Sequence, residues 1–557
     1  MRFYLVLAIL SLTASASAGT LYVDRNLTTG LDDGSSWANA FQGGFGLNDA
    51  LAVAAPGDQI FVAEGVYTAA NALGHVLAND VAVYGGFLGG ESAPGDRPPF
   101  GTAPTTLRAN PGSPTMTTPA VRAEGTGPQT LLDGFTIRSV TGGRSSGILC
   151  DQGAQVLVQD CVFEENRGVE GAAANILAGS SARFVDCTFQ NNSTFGNSST
   201  GFLVGAAFFQ GSSGLFERCV FRGNQGGASG TIGAVMSGFS SNVAVQNCLV
   251  YDNVGVAAYS FAGSTLTLSN TTVVRNNASG PAAGLFAFTG SSANAENSIL
   301  WNNIGSEGTV TENQVSGATA TYCIVEGGLA GTGNLSATPV FVDLAGRDLA
   351  LLPTSPGVDA GNNSAVRPGT TLDAAGNPRF ADVFNVPDTG VGAQPIVDMG
   401  AFEVQALSIP TFCNAADGAL ASCPCANPGG PDSGCDIQQA TGGVELTVVA
   451  QETLPANRAT LQGAGFPFAS SPTSIVTRSP GLEPGPVVFG DGLRCVGTPL
   501  VRLAATFAAT GQVRHTFGHG TMAGGGDRHY QLWFRNTPAA FCTPDAFNLS
   551  NGVTLTW

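Results

Sequence analysis

VLVQDCVFEEN (residues 156–166) is followed by ARFVDCTFQNN (182–192), GLFERCVFRGN (214–224) and VAVQNCLVYDN (243–253). Two looser copies come next, LTLSNTTVVRN (266–276) and NAENSILWN (294–302). With the cysteine or its equivalent as position zero, the copies sit at 161, 187, 219, 248, 271 and 297, spaced by 26, 32, 29, 23 and 26 residues. A fixed local motif at irregular spacing marks stacked coils whose loops differ in length.

The motif has a direct physical reading. Val156 and Val158 alternate with polar residues and share one face of a strand. Cys161 and Phe163 also alternate, but one residue out of phase, so the chain must turn a corner at Asp160. The equivalent corners are Asp186, Arg218, Asn247, Asn270 and Glu296, and four of the six are Asp or Asn, which tolerate left-handed backbone. Beyond each Phe or its equivalent recur Asn166, Asn192, Asn224, Asn253, Asn276 and Asn302, and stacking would align their amides into a ladder. Strand, bend, strand and Asn turn make one coil of a parallel β-helix.

Composition agrees. The 557 residues include 77 Gly, about twice the ordinary share of ~7%. Glycine costs about 1 kcal/mol in a helix interior, which argues against a helical bundle. Lysine is absent, so all 22 basic residues are Arg against 40 acids, for a net charge of −18. That balance disfavours nucleic acid and anionic membranes as partners, since both need clustered cations. At the N-terminus, Arg2, an apolar run from Phe3 to Leu12 and Ala16-Ser17-Ala18 read as a signal peptide, residues 1–18. No later stretch reaches 18 apolar residues, so no transmembrane segment is expected in the mature chain, read as an exported monomer, secreted or on a bacterial cell surface.

These residues resemble known families. The Asn-turn coil is similar to the right-handed parallel β-helix of pectate-lyase-like proteins. Phe163-Glu-Glu-Asn166, Phe189-Gln-Asn-Asn192 and Phe221-Arg-Gly-Asn224 resemble the FxxN half of polymorphic outer membrane protein repeats. Gly171-Ala-Ala-Ala174, Gly205-Ala-Ala-Phe208 and Gly233-Ala-Val235 resemble the GGA-I half. LYVDRNLTTGLDDGSSWANAF (21–41) and PGDQIFVAEGVYT (56–68) look like the first coil of secreted bacterial β-helix proteins. The resemblance implies a solenoid over residues 19–405 and leaves activity open. Leu47, Ala50, Leu51 and Ala54 follow helical spacing before Pro56-Gly57, which predicts one short helix capping the solenoid's open end. Residues 339–405 lack the Asn motif and read as final coils plus a closing segment.

From about Ser408 the composition changes. Residues 406–436 read as a Cys-rich linker, and residues 437–557 as a C-terminal β-sandwich with strands such as VELTVVA (444–450) and HYQLWFR (529–535). Cys413, Cys423, Cys425, Cys435, Cys495 and Cys542 are expected to form disulfides, since zinc-ribbon spacing is missing. Six cysteines allow 15 connectivities. The expected pairing is Cys495 with Cys542, the other four bonding among themselves. Cys150, Cys161, Cys187, Cys219, Cys248 and Cys323 read instead as buried, unbridged core residues.

Candidate chemistry is sparse. The best polar constellation on the coils is Glu164, Glu165, Arg222 and Asp252, yet no acidic column persists from coil to coil. Gly518-His519-Gly520 resembles a pectin-hydrolase signature, but its NTD triplet and Asp-Asp partners are missing. His515, His519 and His529 with Asp527 read as polar loop residues rather than a zinc site. Asp359, Asp373, Asp382, Asp388 and Asp398 could hold calcium, although their spacing fits no calcium loop. No other cofactor or metal is expected. The expectation is a non-catalytic surface or secreted protein that binds glycans or surface proteins in adhesion; the alternative is a lyase or glycoside hydrolase acting on acidic polysaccharide.

Overall fold

The computed structural model describes residues 18–110, 118–138, 147–195, 203–227, 232–280, 282–306, 308–383 and 386–405. Beyond these it describes 411–414, 423–424, 427, 429–430, 432–436, 442–452, 458–466, 473–507, 512–518, 526–535 and 547–556. The expected signal peptide lies outside the described residues up to position 17, and so do Cys425, His519 and Cys542. The chain divides into two compact units, residues 1–404 and 405–557.

The first unit is a right-handed parallel β-helix with three sheets of 12, 10 and 9 strands. One coil contributes Gln155–Gln159 to the first sheet, Val162–Glu164 to the second and Ala174–Leu177 to the third. Neighbouring coils pair residue by residue, Val158 with Phe184 and Phe163 with Phe189. The rings stack where the motif repeats: Phe163 on Phe189 at 4.8 Å and Phe189 on Phe221 at 4.7 Å. That distance is the spacing between hydrogen-bonded strands, so coil rise and aromatic contact agree. The corner residues adopt left-handed backbone at Asp160, Asp186, Arg218, Asn247 and Asn270.

The sixth corner differs from the sequence reading. It falls on Asn297 rather than Glu296, because Ser269 pairs with Glu296 and the corner follows. Position zero of that coil is therefore Ser298, whose Oγ accepts from the Thr271 amide at 3.1 Å. The same one-residue shift moves the ladder. Nδ2 of Asn166, Asn192, Asn224 and Asn253 each donates to Oδ1 of the next ladder asparagine at 2.8–2.9 Å, the last acceptor being Asn276. Asn276 then donates to Asn303, not Asn302, at 2.9 Å. Asn302 instead takes a left-handed corner, φ 54°, so the two adjacent asparagines divide the two roles. Gln314 ends the ladder, its Oε1 accepting from Asn303 at 2.7 Å. It sits on the helix Val310–Gln314, which Thr309 and Glu312 cap reciprocally.

At the N-terminal end the helix Gly46–Val53 buries Leu47, Ala50 and Leu51 against the solenoid core. At the other end the closing segment behaves unexpectedly. Instead of adding coils, residues 341–404 fold back along the outside of the second sheet, where Val358, Val383 and Met399 pack on Tyr251, Val274, Ile299 and Ile324. Asn247, Asn270 and Asn297 each donate a side-chain amide to a carbonyl of this segment. Arg379, fully buried, donates to the carbonyls of Asp398, Gly400 and Ala401.

The second unit is a small antiparallel sandwich. A five-stranded sheet built on Asp527–Arg535 and Phe547–Thr556 and a three-stranded sheet built on Arg458–Ala464 share a core of Leu446, Leu461, Val476, Tyr530, Leu532 and Val553. Among the described residues two disulfides are present, Cys413–Cys495 and Cys423–Cys435. The expected Cys495–Cys542 pair is thereby corrected: Thr411–Phe412 pairs with Phe547–Thr556, and this carries Cys413 to the buried cluster around Leu493 and Cys495. Within the expected Cys-rich linker 406–436, the described residues Cys413, Cys423 and Cys435 belong to the second unit.

Candidate functional site

The second sheet's outward column runs Glu164, Gln190, Arg222 and Tyr251, in register from coil to coil. Glu165 and Asp252 follow at the next corner, both in left-handed backbone. Glu164 and Tyr251 are three strand spacings apart, or about 14 Å. Glycoside hydrolysis needs two carboxyl groups about 5–9.5 Å apart. Glu164 and Asp252 do not meet that requirement, and their partners point the same way. Glu164 accepts from Gln190 at 2.9 Å, and Glu165 is ion-paired with Arg138. Asp252 is held by Arg275 at 2.8 Å and Arg347 at 2.7 Å. Burial works against its charge, but the two guanidinium groups outweigh burial and keep its carboxyl below the usual range.

Arg222 and Asp252 nonetheless share a depression. Gln190, Asn191, Arg222, Gly223, Tyr251, Asp252, Gly346 and Arg347 line an open hollow of about 380 Å³. Three successive coils supply its floor, and the returning hairpin Phe341–Asp343 with Asp348–Leu351 supplies Arg347. Arg222 is exposed and spends Nε and Nη2 on a single acceptor, Gln190 Oε1. The lining thus offers amides, guanidinium groups and a phenol ring, the donors and flat surfaces that bind sugar hydroxyls and acidic substituents. Sequence reading missed Arg347, which lies outside the repeat and 95 residues from Asp252.

A second depression, about 290 Å³, lies beside Arg97, Asp133 and Asp160 and is rimmed by Pro98, Pro99 and Phe100. Arg97 binds Asp133 at 2.8 Å and the Gly85 carbonyl at 3.0 Å. Burial pushes the Asp133 carboxyl up, with Asp160 adding to the effect, against the pull of Arg97.

Of the five aspartates considered for calcium, the structure brings together three. Carboxylate oxygens of Asp359, Asp382 and Asp388 lie within 4.8 Å of one another. Asp373 and Asp398 instead accept backbone amides that fix the closing segment, Ala375 and Asn377 on the first, Asp359 and Val404 on the second. Among the described residues neither His515 nor His529 joins a metal-binding group: His515 contacts Ser474 at 3.0 Å, and His529 contacts Thr554 at 2.8 Å. The six coil cysteines are free and buried, and burial disfavours a thiolate there, pushing Cys150 and Cys323 up to about 12.

The fold and the polar coil face define a β-helix protein with open, sugar-sized hollows on its sides. Residues 122–304 match the model of the right-handed beta helix region family. No curated protein sequence matches the chain. Among solved structures it is similar to the pectate lyase Pel9A, at 16% identity over 70% of this chain and 97% of that one, with TM-score 0.34. It is also similar to the enzymatically active domain of tailspike protein 4 of bacteriophage CBA120, at 10% identity over 94% of this chain and 68% of that one, with TM-score 0.31. Among the described residues no helix is long and apolar enough to cross a membrane.

Proposed function

We propose that this protein is an exported, non-catalytic polysaccharide-binding β-helix that works at a bacterial surface, as the polymorphic outer membrane type of repeat implies. The observation that carries this reading is the hollow at Gln190, Asn191, Arg222, Tyr251, Asp252 and Arg347. It is polar, and three coils set its floor in register. Its one carboxylate is neutralised twice over by Arg275 and Arg347. A general acid has to keep its proton at working pH, and Asp252 is tuned the opposite way. The exposed Arg222 favours glycans that carry carboxylate or sulfate groups.

The test is a glycan array read in parallel with reducing-sugar and unsaturated-product assays. Binding of an acidic glycan, weakened by Arg222→Ala and unaccompanied by product, supports the proposal. Turnover abolished by Asp252→Ala or Arg222→Ala overturns it. A second reading, polysaccharide cleavage, is favoured by one observation, the raised Asp133 carboxyl beside Asp160 in the Arg97 depression. Product formation lost on Asp133→Asn would select it.

A further inference from the structure

The cluster at Asp359, Asp382 and Asp388 raises a separate question. Asp359 is fully buried, yet neither of its carboxylate oxygens has a hydrogen-bond partner of normal geometry, and the Val383 amide offsets its burial only in small part. Buried carboxylates are ordinarily paired or hydrogen-bonded, because stripping water from the charge is otherwise uncompensated. The neighbours aimed at this carboxylate are two more carboxylates, Asp382 and Asp388, both exposed. Among the described residues none of the three forms an ion pair, and in a chain without lysine few cations are on hand. Asp388 spends one oxygen on Gln394 and keeps the other.

Backbone hydrogen bonds hold the three groups in place. The carbonyl of Asp359 accepts from the amides of Thr389 at 2.9 Å and Gly390 at 3.1 Å, which fixes Asp388 beside it. Val383, buried in the core under the closing segment, fixes Asp382. Asn362, three residues from Asp359, exchanges two hydrogen bonds with Asn297 at the solenoid corner. We propose that Asp359, Asp382 and Asp388 form a calcium site that ties the returning segment together against the solenoid. Three carboxylates with room for water or carbonyl oxygens suit Ca²⁺, which takes 6–8 oxygen ligands at about 2.4 Å in flexible geometry. Two oxygens bound to one such ion can stand at most about 4.8 Å apart, and the cluster stays within that bound. Mg²⁺, at about 2.1 Å and strictly octahedral, suits so wide and open a donor set less well. The site does not depend on the glycan-binding reading.

The test uses the full exported chain, stripped with EDTA and dialysed, with CaCl₂ and MgCl₂ as probes in calorimetry and in thermal unfolding. The expected result is one calcium ion bound per chain, a rise in unfolding temperature with added calcium, and a smaller response to magnesium. Asp359→Asn and Asp388→Asn, each confirmed folded by circular dichroism, should weaken calcium binding by roughly tenfold or more. Asp388 is exposed, so its variant remains informative if replacement of the buried Asp359 impairs folding. In EDTA, Asp359→Asn should also unfold at a higher temperature than the unmodified chain, since it removes a buried carboxyl crowded by other carboxylates. Absence of calcium binding by the unmodified chain, or undiminished binding by both variants, overturns the proposal.

Discussion

Replacing Asn224 by Ala should open the solenoid locally, and the cost can be worked from the ladder. Its Nδ2 donates to the Phe189 carbonyl and to Asn253 Oδ1, each at 2.9 Å. Its Oδ1 accepts from the Asn192 amide at 3.1 Å and from Asn192 Nδ2 at 2.8 Å. Asn253 Oδ1 keeps the Asn224 amide as donor at 2.9 Å, so the truncation strands chiefly the Phe189 carbonyl and the Asn192 amide. Both lie in the buried interior of the turn, where an unsatisfied group costs about 1–3 kcal/mol. The expected destabilisation is about 3–5 kcal/mol, including the space left by the side chain. A repeat array need not unfold as one unit, so the appropriate assay is native-state hydrogen exchange on peptides covering residues 186–195 and 219–226. Peptides from the second unit serve as an internal reference. The matched control is Asn302→Gly, which keeps the left-handed corner and removes a side chain outside the ladder, and should be neutral within about 0.5 kcal/mol. Asn303→Ala should resemble Asn224→Ala. A cost below about 1 kcal/mol for Asn224→Ala, or an equal cost for Asn302→Gly and Asn303→Ala, would refute the ladder's energetic role.

His75 should make the solenoid acid-sensitive. It is fully buried, with Nε2 at 3.3 Å from the Tyr67 carbonyl and Nδ1 unpartnered, and burial pushes its pKa from 6.5 down to about 4. The unfolded chain takes up the proton first, so stability present above pH 6.5 is lost as pH falls towards 4, by about 3 kcal/mol at most. Thermal unfolding against pH should flatten in that window for His75→Gln; an unchanged profile refutes the assignment. Arg379→Met should cost about 3 kcal/mol or more, because three buried carbonyls and the Glu403 carboxylate at 3.6 Å lose their cation, and a shift in unfolding temperature of under a degree would contradict this. Non-reducing peptide mapping should recover Cys413–Cys495 and Cys423–Cys435, with at least six thiols titrating only after denaturation; a disulfide involving any coil cysteine refutes the core reading.

The coils were legible because their constraint is local. Val158, Cys161, Phe163 and Asn166 specify strand, corner and turn within nine residues, and the corner requirement for left-handed backbone selects Asp and Asn. The reading slipped by one residue where the sequence offered two adjacent asparagines, Asn302 and Asn303, and only the pairing of Ser269 with Glu296 chooses between them. The Gln314 terminus of the ladder carried a signal that went unread, the Thr309 and Glu312 capping pair. The disulfides could not be deduced, since spacing alone does not reveal that Thr411–Phe412 pairs with a strand near the far end of the chain.

What the repeat could not show is where chemistry accumulates, and there is a physical reason. Inward positions are committed to stacked Phe and Cys, and the turns to Asn, so neighbouring coils leave only their outward side chains free to vary. An outward residue on a lone coil faces water and stays an ordinary solvated group. Neighbouring coils can pair it, as Arg138 pairs Glu165, and a further layer brings partners from elsewhere in the chain. In this chain the layer is the closing segment, which folds back over the second sheet and brings Arg347 to Asp252. The same return buries Asp359 beside Asp382 and Asp388. The polar hollow and the carboxylate cluster therefore both depend on one aperiodic stretch, in which neither 2- nor 3.6-residue periodicity gives a position away.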